Sequence, residues 1–225
     1  MVDQNTIVER PIILTDILVD EMINGRKTQT RQIIKSNQHG GLFSGDGDDS
    51  SVLDPINDEW RQREVGYSVG DRLWIQEDFT FSSQVFATGH YCEIQYLDGA
   101  IRELHPTSGD IPKEELPTYF RMWDRAAKAK NCSIGVPAIQ MPRWACRIKL
   151  EVTDVRVQRL QDINKEDAMA EGMTWPSPLL GVPRAADSYF DPAASFCAFW
   201  NSIHGPDAWD ANPWVAALTF RGWSR

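Results

Sequence analysis

Hydrophobic and polar positions follow two periods along the chain, one typical of helices and one typical of strands. An apolar stripe with helical spacing predicts a helix over residues 12–25, and Thr15 or Asp16 can cap its start. Asn24-Gly25 is a typical stop signal for that helix. The stripe consists of four apolar residues, which are Ile13, Ile17, Leu18 and Met22.

Alternation of apolar and polar residues predicts strands in several further places. After Val152 the apolar phase moves by one residue, which predicts a β-bulge or a break near Thr153-Asp154. Asp98-Gly99 is a strong signal for the turn of a β-hairpin between strands at 90–97 and 100–104. The other alternating segments are residues 71–79, 145–152 and 214–220.

Three more helices are predicted from capping residues and apolar faces. Asn164 can cap a short helix that Gly172 ends. Asp191-Pro192 is a typical start for a longer helix with an aromatic face, and Gly205 lies just past its end. Another helix is expected around residues 118–130.

The order of these elements predicts an α+β fold. Strands outnumber helices, and the regular strand-helix alternation of a doubly wound sheet is missing. We therefore expect a small mixed β-barrel, closed or nearly closed, with peripheral helices, in a single domain over residues 1–225. Loop insertions are expected at about 37–66 and 105–142. Residues 37–58, rich in glycine and aspartate, are expected to contribute nothing essential to folding.

Composition and charge narrow the possible classes of function. The net charge of −9 argues against a protein that coats long nucleic acids. No apolar stretch reaches about 18 residues and the N-terminus lacks a signal-peptide core, so we expect no membrane association and a cytoplasmic location. The four cysteines and four histidines are widely scattered, so we expect neither a metal site nor a cofactor.

Residues 25–31 place three cations and two hydroxyl groups directly after the predicted helix stop. A turn of this composition can bind a phosphate or a base carbonyl. The alternative is an exposed, polar start of a strand, and composition alone favours that alternative.

The segment Gly25-Arg26-Lys27-Thr28-Gln29-Thr30 resembles the signature of the ASCH superfamily, whose fold is PUA-like. Gly70-Asp71 before Leu73 is similar to the turn that enters the family's next strand. The helix that ends in Ala168-x-x-Glu171-x-Met173 resembles a further family element, and the resemblance covers roughly half of the chain. The longer layout, with Met141-Pro142-Arg143-Trp144, looks like that of larger ASCH-like proteins of phages and prophages.

Some small members of this superfamily are amidohydrolases that remove the acyl group from N4-acetylcytidine. The resemblance implies that their catalytic residues correspond to Lys27, Thr30 and Glu171. A threonine hydroxyl becomes nucleophilic when a neighbouring amine accepts its proton, and a carboxyl group can then assist the leaving amine. Lys27 and Thr30 are an odd number of residues apart, so this triad requires a bend between them.

Glu171 also stands out by its position, because it falls in the last turn of its predicted helix. A negative charge there meets the negative end of the helix dipole, which costs roughly 0.3–1 kcal/mol at an exposed site. The alternative is an ordinary surface glutamate. Glu171→Gln removes this charge from the unfavourable end of the helix, so it is expected to leave stability equal or slightly higher.

Five further residues are candidates for binding the substrate. Glu77 shares the apolar face of a predicted strand, so it is either buried and paired, with Lys27 or Arg31 as partner, or the solvated end of the pattern. Arg143-Trp144 either stacks on a base and contacts a phosphate, or is a core tryptophan beside a solvated arginine. The five candidates are Arg26, Arg31, Glu77, Arg143 and Trp144.

Two functions follow as expectations. The first is a metal-independent amidohydrolase that acts on an N-acylated cytidine or a related modified nucleoside. The second is a non-catalytic module that binds RNA or a modified nucleobase. A third, a phage accessory protein that acts on a host protein, has no sequence feature in its favour. The negative net charge favours a small nucleoside over RNA as the partner.

Overall fold

The structure is a computed structural model that describes residues 7–34, 65–86, 89–173 and 191–222. Over these residues the protein has nine β-strands and four α-helices, which confirms the predicted α+β class. None of the described helices combines the length and apolar character needed to cross a membrane. The predicted insertion at about 37–66, with the glycine-rich residues 37–58, lies almost entirely outside the described residues.

Strands dominate the element order, and the helices fall between them. The helices are α1 (Asp16–Ile23), α2 (Leu116–Lys128), α3 (Lys165–Ala170) and α4 (Pro192–His204). The strands are β1 (Glu9–Ile13), β2 (Gln29–Ile33), β3 (Arg72–Gln76), β4 (Phe79–Phe86), β5 (Gly89–Tyr96), β6 (Ile101–Leu104), β7 (Ser133–Val136), β8 (Lys149–Arg159) and β9 (Trp214–Gly222).

The nine strands form two sheets. One contains five strands in the order β1-β3-β8-β9-β2, and the other contains four strands in the order β6-β5-β4-β7. In neither sheet are the two end strands neighbours, so the described strands do not form a closed barrel. The coarse α+β class is therefore established, and the finer PUA-like barrel remains a prediction.

The chain divides into two compact units. The first consists of Met1–Glu9, Glu21–Arg72 and Leu150–Arg225, and the second consists of Arg10–Asp20 and Leu73–Lys149. In the first unit β9 pairs antiparallel with both β2 and β8. Five consecutive β9 residues, Trp214 to Leu218, are buried, as expected for a central strand that is covered on both faces. The register shifts between Val152 and Asp154 within one continuous strand, which confirms the predicted irregularity at Thr153-Asp154.

The second unit contains the hairpin and a hydrophobic cluster with several buried aromatic residues. β5 and β6 pair antiparallel, and Gly99 adopts the left-handed conformation, with φ of 85°, that their turn requires. These observations confirm the hairpin. α2 buries Tyr119, Met122 and Ala126, and β7 pairs with β4. The predicted insertion at 105–142 therefore supplies a helix and a strand to this unit.

The predicted helix over residues 12–25 is shorter than expected, because its first residues belong to strand β1. Ile12 and Leu14 are buried, whereas Ile13 between them is 52% exposed. This alternation of buried and exposed residues is that of a strand. Over so few residues the sequence pattern of a strand cannot be distinguished from that of a helix. α1 starts at Asp16, and Gly25, with φ of 72°, follows its end as predicted.

The capping signals locate α3 and α4 correctly. The Asn164 side chain accepts a hydrogen bond from the Asp167 N–H at the start of α3. Asp191 does the same for the Ala193 N–H at the start of α4. The strand predicted at 145–152 begins only at Lys149, because residues 143–145 form a 3₁₀ turn after Pro142.

Candidate functional site

Lys27 and Glu171 form a buried ion pair. The Lys27 Nζ donates a hydrogen bond to Glu171 Oε2 at 2.7 Å, across 144 residues of sequence. It also donates to the backbone oxygen of Glu171 at 3.1 Å and to that of Gln29 at 2.8 Å. Each of the three donors of an ammonium group therefore has an acceptor. The two side chains are only 1% and 4% exposed.

The position of Glu171 follows from the way in which α3 ends. The N–H groups of Gly172 and Met173 donate to the carbonyls of Met169 and Ala168 at 2.9 and 3.1 Å. Gly172 has φ of 98°, so this end is a Schellman motif in which Glu171 is the C-cap. The Lys27 ammonium binds the Glu171 carbonyl, and its positive charge stabilises the negative end of the helix dipole.

Gly172 also permits a close approach between this turn and the segment that carries Lys27. A Cβ atom added at Gly172 would lie 3.3 Å from the Cβ of Glu21 and 3.6 Å from the Cβ of Lys27. Glycine is therefore favoured by the left-handed backbone, and any larger residue would also press against Glu21.

Arg31 extends the ion pair into a series of alternating charges. Its Nη1 donates to Glu171 Oε1 at 2.9 Å, and its Nη2 donates to Asp167 Oδ2 at 3.0 Å. Asp167 Oδ1 in turn accepts a hydrogen bond from Arg156 Nη2 at 2.9 Å. We call these five residues, Lys27, Glu171, Arg31, Asp167 and Arg156, the ion chain.

The strand register explains how Asp167 can contact two arginines from different strands. Arg31 on β2 lies opposite Ala217 on β9, and Ala217 lies opposite Arg156 on β8. Residues directly opposite in antiparallel strands project on the same face of the sheet. The two arginines are thus on one face of the sheet with the small Ala217 between them in the row, and the Asp167 carboxylate contacts both.

The same register separates Thr30 from the ion chain. Thr30 lies opposite Leu218, which lies opposite Val155, so this row is on the other face of the sheet from Arg31. Thr30 is buried. The structure therefore brings Lys27, Glu171 and Arg31 together, and strand alternation directs Thr30 away from them. Lys27 lies before β2, in an isolated bridge with Glu171, so the alternation within β2 fixes Thr30 relative to Arg31.

Burial and pairing act on Asp167 in opposite directions. Burial raises the pKa of the Asp167 carboxyl, but the Arg156 hydrogen bond and the charges of Arg31 and Arg156 outweigh it and hold that pKa below its ordinary value. The hydrogen bond with Asp167 raises the pKa of Arg156 in turn. Both groups are therefore charged at neutral pH. The ion chain contains three cations and two carboxylates, and a buried charge that loses its partner costs several kcal/mol.

Arg26, the first cation of residues 25–31, forms an ion pair with Glu21. Its Nε donates to Glu21 Oε2 at 2.6 Å and its Nη2 donates to Glu21 Oε1 at 2.9 Å. The Arg26 side chain is 45% exposed, whereas that of Glu21 is buried. Arg26 thus neutralises a buried carboxylate and reaches solvent on its outer side.

Glu77 is buried and paired, as one of the two interpretations of its position predicted. Its partner is Arg147, where the sequence suggested Lys27 or Arg31. Arg147 donates from Nε to Oε1 at 2.9 Å and from Nη2 to Oε2 at 2.6 Å. Arg147 Nη1 also donates to Asp98 at 2.7 Å, and the guanidinium lies 4.0 Å from the centre of the Tyr96 ring. Arg147, in the segment before β8, therefore ties the hairpin turn to Glu77.

Trp144 belongs to the aromatic core of the second unit. Its ring makes edge contacts with Phe81 and Tyr119, at centroid distances of 6.4 and 5.9 Å. The residue is only 5% exposed, so neither face of the indole is open to a nucleobase. Arg143 beside it is partly buried. These positions agree with the core interpretation of Arg143-Trp144 and not with a stacking platform.

Sequence reasoning missed Asp167, Arg156 and the buried Glu21. Asp167 carried a usable signal, because it precedes Glu171 by four residues and the two must share one face of α3. Arg156 carried a weaker signal. It lies just after the register shift, where the side chains of β8 change the face of the sheet on which they lie. Neither signal identifies the partner across the sheet.

Among the residues that the structure describes, no three side chains of His, Cys, Asp or Glu are grouped as ligands for a metal ion. No protein-family model matches the chain, and neither the curated proteins nor the solved structures contain a match. The geometry of the ion chain therefore carries the functional argument together with the signature segment.

Glu77 offers a direct test of its buried pairing. We expect Glu77→Ala to lower the free energy of unfolding by about 3 kcal/mol, because it leaves the Arg147 guanidinium without its main counter-charge. Urea denaturation measures this change. Glu103→Ala is the matched control, since Glu103 is an exposed residue on β6 of the same unit, and its expected effect is about 0.5 kcal/mol or less. Equal effects of the two variants would contradict the pairing.

Proposed function

We propose that the chain is a metal-independent amidohydrolase that acts on an N-acylated cytidine or a related modified nucleoside, on a PUA-like fold of the ASCH type. The observation that carries the proposal is the Lys27–Glu171 contact at 2.7 Å. Two residues that the signature resemblance assigns to catalysis, far apart in sequence, are in direct contact. Charged groups held together in a buried environment are typical of functional sites.

In the proposed reaction, the Thr30 hydroxyl oxygen attacks the acyl carbon and the hydroxyl proton passes to the Lys27 amine. The bond between the acyl carbon and N4 breaks, and N4 takes a proton from the Lys27–Glu171 pair as cytidine leaves. Water then hydrolyses the threonyl ester, which releases the carboxylic acid and restores the hydroxyl. The Arg31 Nε–H is buried and has no hydrogen-bond partner among the described residues.

A second candidate is a non-catalytic module that binds a modified nucleobase or RNA. Two observations favour it. The Lys27 ammonium already donates to three acceptors, so it has no lone pair for a hydroxyl proton in this state. Thr30 lies on the opposite face of β2 from Arg31. Catalysis therefore requires Lys27 to lose a proton and Thr30 to reach it when the substrate binds, whereas binding requires neither step.

Incubation with N4-acetylcytidine separates the two candidates. We expect cytidine release, and we expect Thr30→Val, which removes only the hydroxyl, to lower kcat by at least about a thousandfold. Thr28→Val is the matched control, because Thr28 is exposed in the same segment, and its kcat should stay within about twofold of the wild type. Absence of cytidine release, or equal rates for the two variants, would exclude Thr30 as the nucleophile of this reaction.

Glu171→Gln is expected to lower turnover as well, but the contacts of Glu171 reverse the expectation, drawn from the helix dipole, of equal or slightly higher stability. Glu171 is buried and pairs with both Lys27 and Arg31. The variant leaves two buried cations short of a counter-charge, which lowers the free energy of unfolding rather than leaving it unchanged. Turnover of this variant is therefore compared at a temperature where both proteins are folded.

The dependence of binding on salt distinguishes a nucleoside from a polynucleotide. Between about 50 and 200 mM salt we expect the Kd for cytidine to change less than about twofold, since a neutral nucleoside displaces few counterions. Isothermal titration with cytidine and with single-stranded RNA measures both. If RNA binds tightly and its affinity falls by a factor of about a thousand over this range, the RNA-binding module is the function that the result supports.

A further inference from the structure

We propose that Asp167 is a positioning residue of this site, which fixes Arg31 and through it the Glu171 carboxylate, and that Arg156 anchors Asp167 in turn. The catalytic meaning of this inference rests on the proposed function. The positioning itself rests only on contacts within the ion chain, and it can be tested without turnover.

Arg31 is held at both of its outer nitrogens by different carboxylates. The distances are 2.9 Å from Nη1 to Glu171 and 3.0 Å from Nη2 to Asp167. The Arg31 side chain is 0% exposed, so water cannot replace either partner. Because the guanidinium is planar and rigid, a rotation that breaks one contact also displaces the other. The orientation of Arg31 toward Glu171 therefore depends on Asp167.

Asp167 is itself fixed by the helix and by a second arginine. Its N–H donates to the Asn164 side chain at 2.7 Å, and its carbonyl accepts from the Glu171 N–H at 2.9 Å. Asp167 and Glu171 are thus one helical turn apart on the same face of α3. This turn sets the spacing of the two carboxylates that Arg31 bridges.

Arg156 completes the support from the outer end of the ion chain. Its Nη2 donates to Asp167 Oδ1 at 2.9 Å and to Gln29 Oε1 at 3.3 Å, and its Nε lies 3.4 Å from Asp154. The Arg156 side chain is 39% exposed, so the ion chain runs from a solvated arginine to the buried Lys27. Both Asp167 oxygens are used, one for each arginine.

Asp167→Asn tests the positioning role by a spectroscopic signature. Rotation about the Arg31 Nε–Cζ bond is hindered while both outer nitrogens are held, so the full chain should give separate 15N signals for Nη1 and Nη2, assigned with Arg31→Lys. In Asp167→Asn, which weakens the Nη2 contact, we expect the two signals to merge. Asp162→Asn is the control, because Asp162 accepts from the Arg159 N–H and is exposed; it should leave them separate. Identical spectra for the two variants would overturn the inference.

The kinetic arm uses cytidine release from N4-acetylcytidine. We expect Asp167→Asn to lower kcat about tenfold or more with KM changed less than about twofold, because a displaced Glu171 affects the reaction more than binding. An unchanged kcat in Asp167→Asn would overturn the inference. If the wild-type protein releases no cytidine, the proposed function fails, and the Arg31 spectrum alone decides the positioning role.

Arg156→Gln keeps the inference testable if Asp167→Asn does not fold. It removes the anchor of Asp167 from a partly exposed position and leaves the Arg31–Asp167 contact in place. We expect broadened Arg31 signals and a kcat lowered about threefold, a smaller effect than that of Asp167→Asn. Arg159→Gln on the same strand, which contacts Asn212 and the Trp214 ring, should change neither. Equal effects of the two arginine variants would contradict the anchoring role.

Discussion

Charges that are removed from water must neutralise one another, and this constraint shapes the first unit around Lys27 and Glu171. The Schellman motif at the end of α3 fixes the position of Glu171. The isolated β-bridge between Lys27 and Glu171 places the Lys27 ammonium beside its carboxylate. The β2-β9-β8 register then places Arg31 and Arg156 on one face, where Asp167 joins them. A shift of the α3 end, of the bridge or of the strand register would leave a buried charge without its partner. The positions of these backbone elements and the contacts of the ion chain therefore depend on each other.

Local signals predicted most elements, and they failed where the pattern was short or the partner distant. Asp98-Gly99, Asn164 and Asp191-Pro192 located a turn and two helix starts, because each satisfies backbone groups within a few residues. The start of α1 was predicted too early, since Ile12 and Leu14 alternate around Ile13 for too few residues to separate a strand from a helix. Strand order depends on pairings across the whole chain, so the predicted barrel had no local support.

The candidate site could be predicted only in part for the same reason. The signature resemblance brought Lys27 and Glu171 into one hypothesis, and the structure places them in contact. The odd spacing of Lys27 and Thr30 indicated that their side chains would point apart in a flat strand. In the β2 register, Thr30 lies on the opposite face from Arg31. Burial of Glu77 followed from its strand pattern, but nothing local distinguishes Arg147 from Arg31 as its partner. A partner 70 residues away, as Arg147 is from Glu77, leaves no trace in a single sequence.

The interdependence of Lys27 and Glu171 is tested most directly by a double-mutant cycle with Lys27→Met, Glu171→Gln and the combined variant. Each single variant leaves buried charge without its partner, so each should lower the free energy of unfolding by about 3 kcal/mol in urea denaturation. The combined variant removes one charge of each sign, and Gln can still accept from Arg31. Its loss of stability should therefore be at least about 2 kcal/mol smaller than the sum of the single losses. Additive losses would contradict the account that these two charges hold each other in place.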